Sequence, residues 1–177
     1  AGGSSSPLVD AESVVNIKSG NLYFTQDVAG LALSYNSIDS YDGPVGRKWT
    51  YDYNVNLTPW GDDSTLRLKA SDGNVIHFRL SGGIYFPEAI SGDTSHIVKN
   101  LDSSYTRTFR NGVIDNFDSS GRLISISDRS GNATTLAYDG SNLHITDANG
   151  RTTAIITTGT LITAITDPGG RTYNLAY

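Results

Sequence analysis

The sequence predicts an all-β fold, an antiparallel meander stacked like a solenoid from short repeat hairpins, on three observations. A phrase recurs in the last third of the chain: Asp128, Asp147 and Asp167 stand 19 and 20 residues apart, and each is followed three positions later by a glycine (Gly131, Gly150, Gly170). Apolar residues keep the same step before the turns (Leu123 and Ile126, Leu143 and Ile145, Leu161 and Ile165) and after them (Leu136, Ile155, Leu175), and the closing position repeats as Tyr138, Thr157 and Tyr177. A fixed period of this length marks stacked units that bury their apolar faces only against neighbours. Composition points the same way, because 19 glycines with only 18% charged and 37% hydrophobic residues in 177 suit short strands and tight turns better than helices. The third observation is local: from Trp49, residues Trp49, Tyr51, Tyr53, Val55 and Leu57 alternate with polar ones, a period of two.

Three segments follow: a flexible Gly/Ser/Pro arm over 1–13, a β-rich segment over 14–101 and the repeat array over 102–177. Val14-Val15-Asn16-Ile17-Lys18 reads as a strand, Ser19-Gly20-Asn21 as a turn and Leu22 to Thr25 as the partner strand of a first hairpin. Leu31 to Asn36 is another short strand, and Ser40 to Gly46, dense in turn formers, is a loop. The alternation from Trp49 to Thr58 predicts one half-buried strand with an aromatic inner face. Leu66 to Leu68, a turn at Ser71 to Asn74 and Val75 to Leu80 make a second hairpin. Residues 82–101 read as loop, with weak helical spacing and at most one helical turn over Ser95 to Leu101. From Tyr105, strands and turns alternate about every ten residues, as in a long meander.

The chemistry of Asp-x-x-Gly explains its recurrence. An Asp carboxylate accepts a hydrogen bond from the backbone two residues on, and Gly supplies the positive φ that the exit requires. Calcium binding is the functional alternative, but each turn offers a single carboxylate and no EF-hand loop or glycine-aspartate nonapeptide is present. Asp128, Gly131, Asp147, Gly150, Asp167 and Gly170 are therefore assigned as structural corners.

Other function classes narrow quickly. The net charge is −5 and no basic run occurs, so the footprint of a nucleic-acid binder is missing. Absence of cysteine excludes disulfides and thiolate chemistry. No apolar run approaches the roughly 20 residues of a membrane-spanning helix, so no membrane insertion is expected. The opening Ala1-Gly2-Gly3-Ser4-Ser5-Ser6-Pro7 is of the kind left by signal-peptidase cleavage, and a secreted or cell-surface location is expected. His77, His96 and His144 lack a His or Glu at metal-ligand spacing, and no nucleophile elbow, phosphate loop or dinucleotide fingerprint occurs. Asp62 and Asp63 are the only adjacent carboxylates, in a Gly/Asp/Ser loop that reads as solvated. No enzymatic activity and no cofactor are expected. Trp49, Tyr51 and Tyr53 read as core, whereas Trp60, after Pro59 in a loop, is the exposed aromatic available for glycan contact.

The stretch Asp118-Ser-Ser-Gly-Arg-Leu-Ile-Ser-Ile-Ser-Asp128-Arg-Ser-Gly-Asn-Ala-Thr-Thr-Leu-Ala-Tyr138-Asp139 resembles a repeat of the Rhs, or tyrosine-aspartate (YD), family. Its marks are a Gly-Arg-Leu start, an Asp-x-x-Gly-Asn turn and a Tyr-Asp close. Upstream, Val15-Asn-Ile-Lys-Ser-Gly-Asn-Leu, Leu33-Ser-Tyr-Asn-Ser-Ile-Asp-Ser and Gly43-Pro-Val-Gly-Arg-Lys-Trp49 resemble the segment that precedes such repeats in bacterial members. The resemblance implies a hollow β-shell, which bacterial members use to enclose a toxic C-terminal domain. About three clear repeats stand here, where family members have many. The last strand, Thr172 to Tyr177, is expected to present an unpaired edge. Strand addition at Tyr173, Leu175 and Tyr177, or by Val14, Val15 and Ile17 of another copy, would build a fibre or shell. The partners expected are therefore further copies of this chain or the remainder of a longer Rhs shell, and a carbohydrate-binding module is the remaining alternative.

Overall fold

The computed structural model describes residues 12–16 and 20–177. Strands β1 (Glu12–Asn16), β2 (Asn21–Val28), β3 (Leu31–Asn36) and β6 (Trp49–Tyr51) form a four-stranded sheet, and β4 (Asp42–Gly43) pairs with β5 (Gly46–Arg47) in a small hairpin. Everything after Asn56 belongs to one thirteen-stranded antiparallel sheet in chain order. Its strands are β7 (Asn56–Trp60), β8 (Asp62–Lys69), β9 (Val75–Ser81), β10 (Ile84–Pro87), β11 (His96–Lys99), β12 (Tyr105–Thr108) and β13 (Ile114–Phe117). The meander continues through β14 (Leu123–Ser127), β15 (Ala133–Asp139), β16 (Asn142–Thr146), β17 (Thr152–Thr158), β18 (Leu161–Thr166) and β19 (Thr172–Asn174). The all-β meander read from the sequence is thus the fold, and it runs without a break across residues 101 and 102.

Both sheets feed one core. Alternation sends Leu57, Leu66, Leu68, Phe78, Tyr85, Ile97, Phe117, Leu123, Ile155 and Ile165 to the inner face, where they join Leu31, Leu33 and Tyr51 from the small sheet and Val45 from the β4–β5 turn. Each fully buried Leu, Ile or Phe contributes about 1.5–3 kcal/mol. The β4–β5 hairpin is tied to the end of the meander by Ile162 N, which donates to Pro44 O at 2.7 Å. The large sheet does not close, but it curls far enough for β7 to meet the β13–β14 turn. There Leu57 N donates to Gly121 O at 2.8 Å, and Asn56 bridges Arg122.

Four local expectations are corrected. The single strand over Trp49 to Thr58 is two strands in two sheets. Asp52 breaks it: its backbone N–H donates to Ala32 O and its carboxylate accepts Ala32 N–H at 3.0 Å, while Asn54 N closes a turn on Tyr51 O. The chain then crosses to the large sheet at Asn56. The loop over Ser40 to Gly46 contains most of the β4–β5 hairpin, made possible by Gly46 at φ 92°. Asp62 and Asp63 lie in β8 and not in a loop, because Gly61 at φ 77° reverses the chain between the paired Trp60 and Asp62 and the Asp62 carboxylate accepts Ser64 N–H. Finally, residues 84–87 and 96–99 are strands. The weak helical spacing of Ser95 to Leu101 yields to ladder pairing of Lys99 with Tyr105, and Ile97 is completely buried.

A cluster of charged groups lies inside this core. Arg107, on an inward position of β12, donates to Ser95 Oγ at 2.9 Å and ion-pairs with Asp93 and, at 3.4 Å, with Asp115, while its guanidinium stacks on Phe109. A buried cation is tolerated only with such partners. Burial pushes the Asp115 carboxyl up to about 6 despite Arg107.

Candidate assembly edge and repeat corners

The repeated Asp residues occupy equivalent corners. At Asp147, the backbone N–H donates to Arg151 O and Gly150 N donates to Asp147 O, both at 2.9 Å, closing a three-residue hairpin loop whose last residue, Gly150, has φ 77°. The side chain is fully engaged: Oδ1 accepts the N–H groups of Asn149 and Arg151 at 2.9 Å, and Oδ2 accepts Arg151 Nε at 2.7 Å. Asp167 repeats every bond with Gly169, Gly170 and Arg171, and Asp128 does so with Ser130, Gly131 and Asn132, whose amide replaces the guanidinium. Because alternate hairpins of a meander open to the same side, these three corners line one rim of the sheet. A fourth copy, Asp118 with Gly121 and Arg122, stands on the opposite rim.

These bonds fall on the charged form, so the carboxyls sit below the usual Asp range. Backbone N–H donation from Arg151 and Arg171 is the leading cause at Asp147 and Asp167, and the Asn132 side chain leads at Asp128. The loop's own donors occupy the carboxylate oxygens that the calcium alternative would need. Sequence reasoning assigned the corners but missed the clamp from the residue after glycine, although Arg122, Arg151 and Arg171 already recur at one offset. Earlier loops reach the same backbone geometry differently. At Ala70 and Phe109 the corner residue has no polar side chain, at Asn100 the side-chain amide donates to Ser104 Oγ at 2.9 Å, and Asp72, Asp102 and Asn111 in mid-loop accept the backbone N–H two residues on.

The last strand of the meander is β19, which among the described residues pairs only with β18. In that ladder Ile165 faces Tyr173, and Leu175 N donates to Thr163 O at 3.0 Å. Alternation of antiparallel bonds therefore points the backbone groups of Thr172 and Asn174 away from β18. Leu175 packs on the core, and Tyr177 donates its hydroxyl to Ile162 O at 2.8 Å. Beside this edge lies a groove of about 650 Å³, shared between β19 and the small sheet, with Val28, Leu33, Val45 and Trp49 on one wall and Leu175 and Tyr177 on the other. Val14 and Val15 lie in β1, the outer strand of the small sheet, where Val14 pairs with Tyr23 and Val15 with Leu22. One side of β1 is thus used within the chain. Ile17 lies outside the described residues.

Trp60 closes β7 and is 56% exposed, while Tyr51 is buried and Trp49 and Tyr53 pack on the core. His77, His96 and His144 sit on three different strands, β9, β11 and β16.

No curated protein matches the chain. Residues 117–152 match the family model described as RHS Repeat, a stretch that opens one residue before the Asp118 corner and takes in those at Asp128 and Asp147. Over this stretch the chain is similar to the Rhs, or YD, repeat.

Proposed function

We propose that this chain is a non-enzymatic wall element of a secreted or cell-surface assembly, extended by adding β-strands at β19. The observation that supports the reading most strongly is the conjunction of an open ladder edge at Thr172 and Asn174 with an apolar groove alongside it. A strand entering there satisfies the free backbone groups and covers Trp49, Leu33 and Leu175. The added strand comes from a second copy, whose β1 is an outer strand of the small sheet, so that addition runs head to tail and gives a fibre or shell. The corners support a wall role as well, because their carboxylates are used within the turns.

A second version, in which the chain is the leading part of a longer shell around a cargo domain, draws on the curl sealed between Leu57 and Gly121. It uses the same edge but fills it from the same polypeptide. Sedimentation velocity across a wide concentration range separates the two. Growth beyond the 18.9 kDa monomer, abolished by Asn174→Pro, is the expected result, since proline there removes an outward donor without touching a bond to β18. A single monomeric species at every concentration would remove the self-assembly version.

A further inference from the structure

Where the two sheets meet, a second buried cation lies apart from the Arg107 cluster. Lys69, the last residue of β8, is 5% exposed, and among the described residues no carboxylate lies within ion-pair distance of its ammonium. Its Nζ sits instead 3.8 Å from the centre of the Tyr41 ring and donates at 3.3 Å to Oγ1 of the buried Thr50 on β6. The same hydroxyl oxygen accepts from Asn54 Nδ2 at 3.2 Å, and that amide also donates to the Tyr41 hydroxyl at 3.1 Å. One hydroxyl thus stands between an amine and a carboxamide, and the Tyr41 side chain touches both. The backbone holds them there, because Lys69 pairs with Asn56, two residues beyond Asn54.

Such a cation is unfavourable to keep. An ammonium taken out of water without a carboxylate partner loses most of its hydration, and one ring face and one neutral hydroxyl replace little of it. Burial accordingly lowers the Lys69 pKa, against the pull of Asp39 and Asp72, and favours the free amine, which is the nucleophilic form. The electrophile is prepared as well. The Tyr41 hydroxyl lies 3.5 Å from Asn54 Oδ1 and donates toward it, where negative charge develops when the carbonyl carbon is attacked. With no cysteine in the sequence, a disulfide is not open to this chain as a cross-link.

We propose that Lys69 and Asn54 join in an intramolecular isopeptide bond that the folded chain forms by itself. The Lys69 amine closes on the Asn54 carbonyl carbon across Thr50, and the Nζ–Cγ bond forms. The Thr50 hydroxyl takes a proton from Nζ and gives its own to Nδ2, the Cγ–Nδ2 bond breaks, and ammonia leaves. The step needs no oxidant, and it turns a buried cation into a neutral amide. The bond ties the segment between β6 and β7 to the end of β8, where the chain crosses from one sheet to the other. Asp39 is a poorer acyl donor, because a carboxylate resists attack and its Oδ1 already accepts the Tyr41 N–H at 2.9 Å. A bond to Asp39 would release water in place of ammonia. The cross-link is independent of strand addition, and either can fail alone.

The test is intact-mass spectrometry of the full chain after native purification, followed by proteolytic peptide mapping. The expected mass is one ammonia below that of the sequence, with a branched peptide joining the Lys69 and Asn54 segments. Lys69→Arg and Asn54→Ala should each return the full sequence mass. The parent chain decides the matter by itself, so a variant that misfolds does not weaken the test. The full sequence mass in the parent would overturn the proposal, as would loss of water in place of ammonia. So would an ammonia loss that persists in Lys69→Arg, or one that maps to a succinimide at Asn149-Gly150 and leaves Lys69 unmodified.

Discussion

The Tyr138 hydroxyl donates to the carbonyl of Leu123, 15 residues earlier, at 2.8 Å, pinning the close of one repeat to its start. Tyr177 makes the same bond, with the same separation and distance, to Ile162. In the repeat between them the tyrosine is replaced by Thr157, and the tie exchanges side chain for backbone: Thr157 N–H donates to the Asn142 side-chain oxygen, again 15 residues back, at 2.9 Å. Three repeats thus keep one cross-link with two chemistries. The ring of Tyr138 adds a second role, since the Arg122 guanidinium of the Asp118 corner lies 4.6 Å from its centre.

Tyr138→Phe keeps the ring and removes only the hydroxyl, so it should cost about 1 kcal/mol, the usual net worth of a hydrogen bond. Tyr177→Phe should cost no more, because that ring is more exposed. Urea denaturation of both variants checks this, and an unchanged midpoint for Tyr138→Phe would show that the repeat tie is incidental.

Glycines at two corners should respond unequally. A Cβ on Gly131 meets open space, leaving only the strain of φ 86°, about 1–2 kcal/mol for alanine. A Cβ on Gly121 would stand 1.9 Å from Leu57 O, where β7 seals the curl, so Gly121→Ala should cost clearly more, about 3 kcal/mol or above. Equal thermal shifts for the two variants would contradict the sealing role of that contact.

Stability should rise as pH is lowered from 7.5 to 5. The Asp115 carboxyl, lifted by burial from 3.8 to about 6, takes up a proton in the folded chain before it does in the unfolded one. Its contribution is complete below 3.8 and disappears as pH climbs through about 6. Asp115→Asn should flatten the dependence of the urea midpoint in this window.

The corners act with the opposite sign. Asp128, Asp147 and Asp167 are held below the ordinary carboxylate range by bonds to their charged form, so their stabilisation is present above about 3.8 and is lost as pH falls through the lower folded values. Asp147→Asn, which keeps an acceptor for the loop amides but loses the charge facing Arg151, should weaken the acid-side decline and should disturb the fold less than Asp147→Ala. Thermal melts between pH 2.5 and 5 read the difference.

Much of this fold was legible because local and long-range preferences agree in the repeats. Asp, Gly and the apolar pairs around Asp128 and Asp147 each specify the same hairpin, so turn chemistry alone places β14 to β18. Legibility failed where tertiary contacts decide. Nothing local reveals that Asp52 captures the Ala32 backbone and sends Trp49 and Leu57 into different sheets. His96 to Lys99 lacks turn signals at strand spacing, and it is a strand because β10 and β12 flank it. For the candidate sites, the open edge of β19 followed from counting repeats, but the groove beside it depends on where the small sheet packs. Trp60 was identified as exposed, whereas the meeting of Lys69, Thr50 and Asn54 depends on how the two sheets pack, which only the structure supplies.

Strand addition at β19 is tested most directly by amide hydrogen exchange of Thr172 and Asn174, followed as a function of protein concentration. These two amides point away from β18, so in the isolated chain they should exchange freely, and on concentration they should become protected together while the amides of β16 stay unchanged. Fast exchange at Thr172 and Asn174 that persists at every concentration would contradict the account.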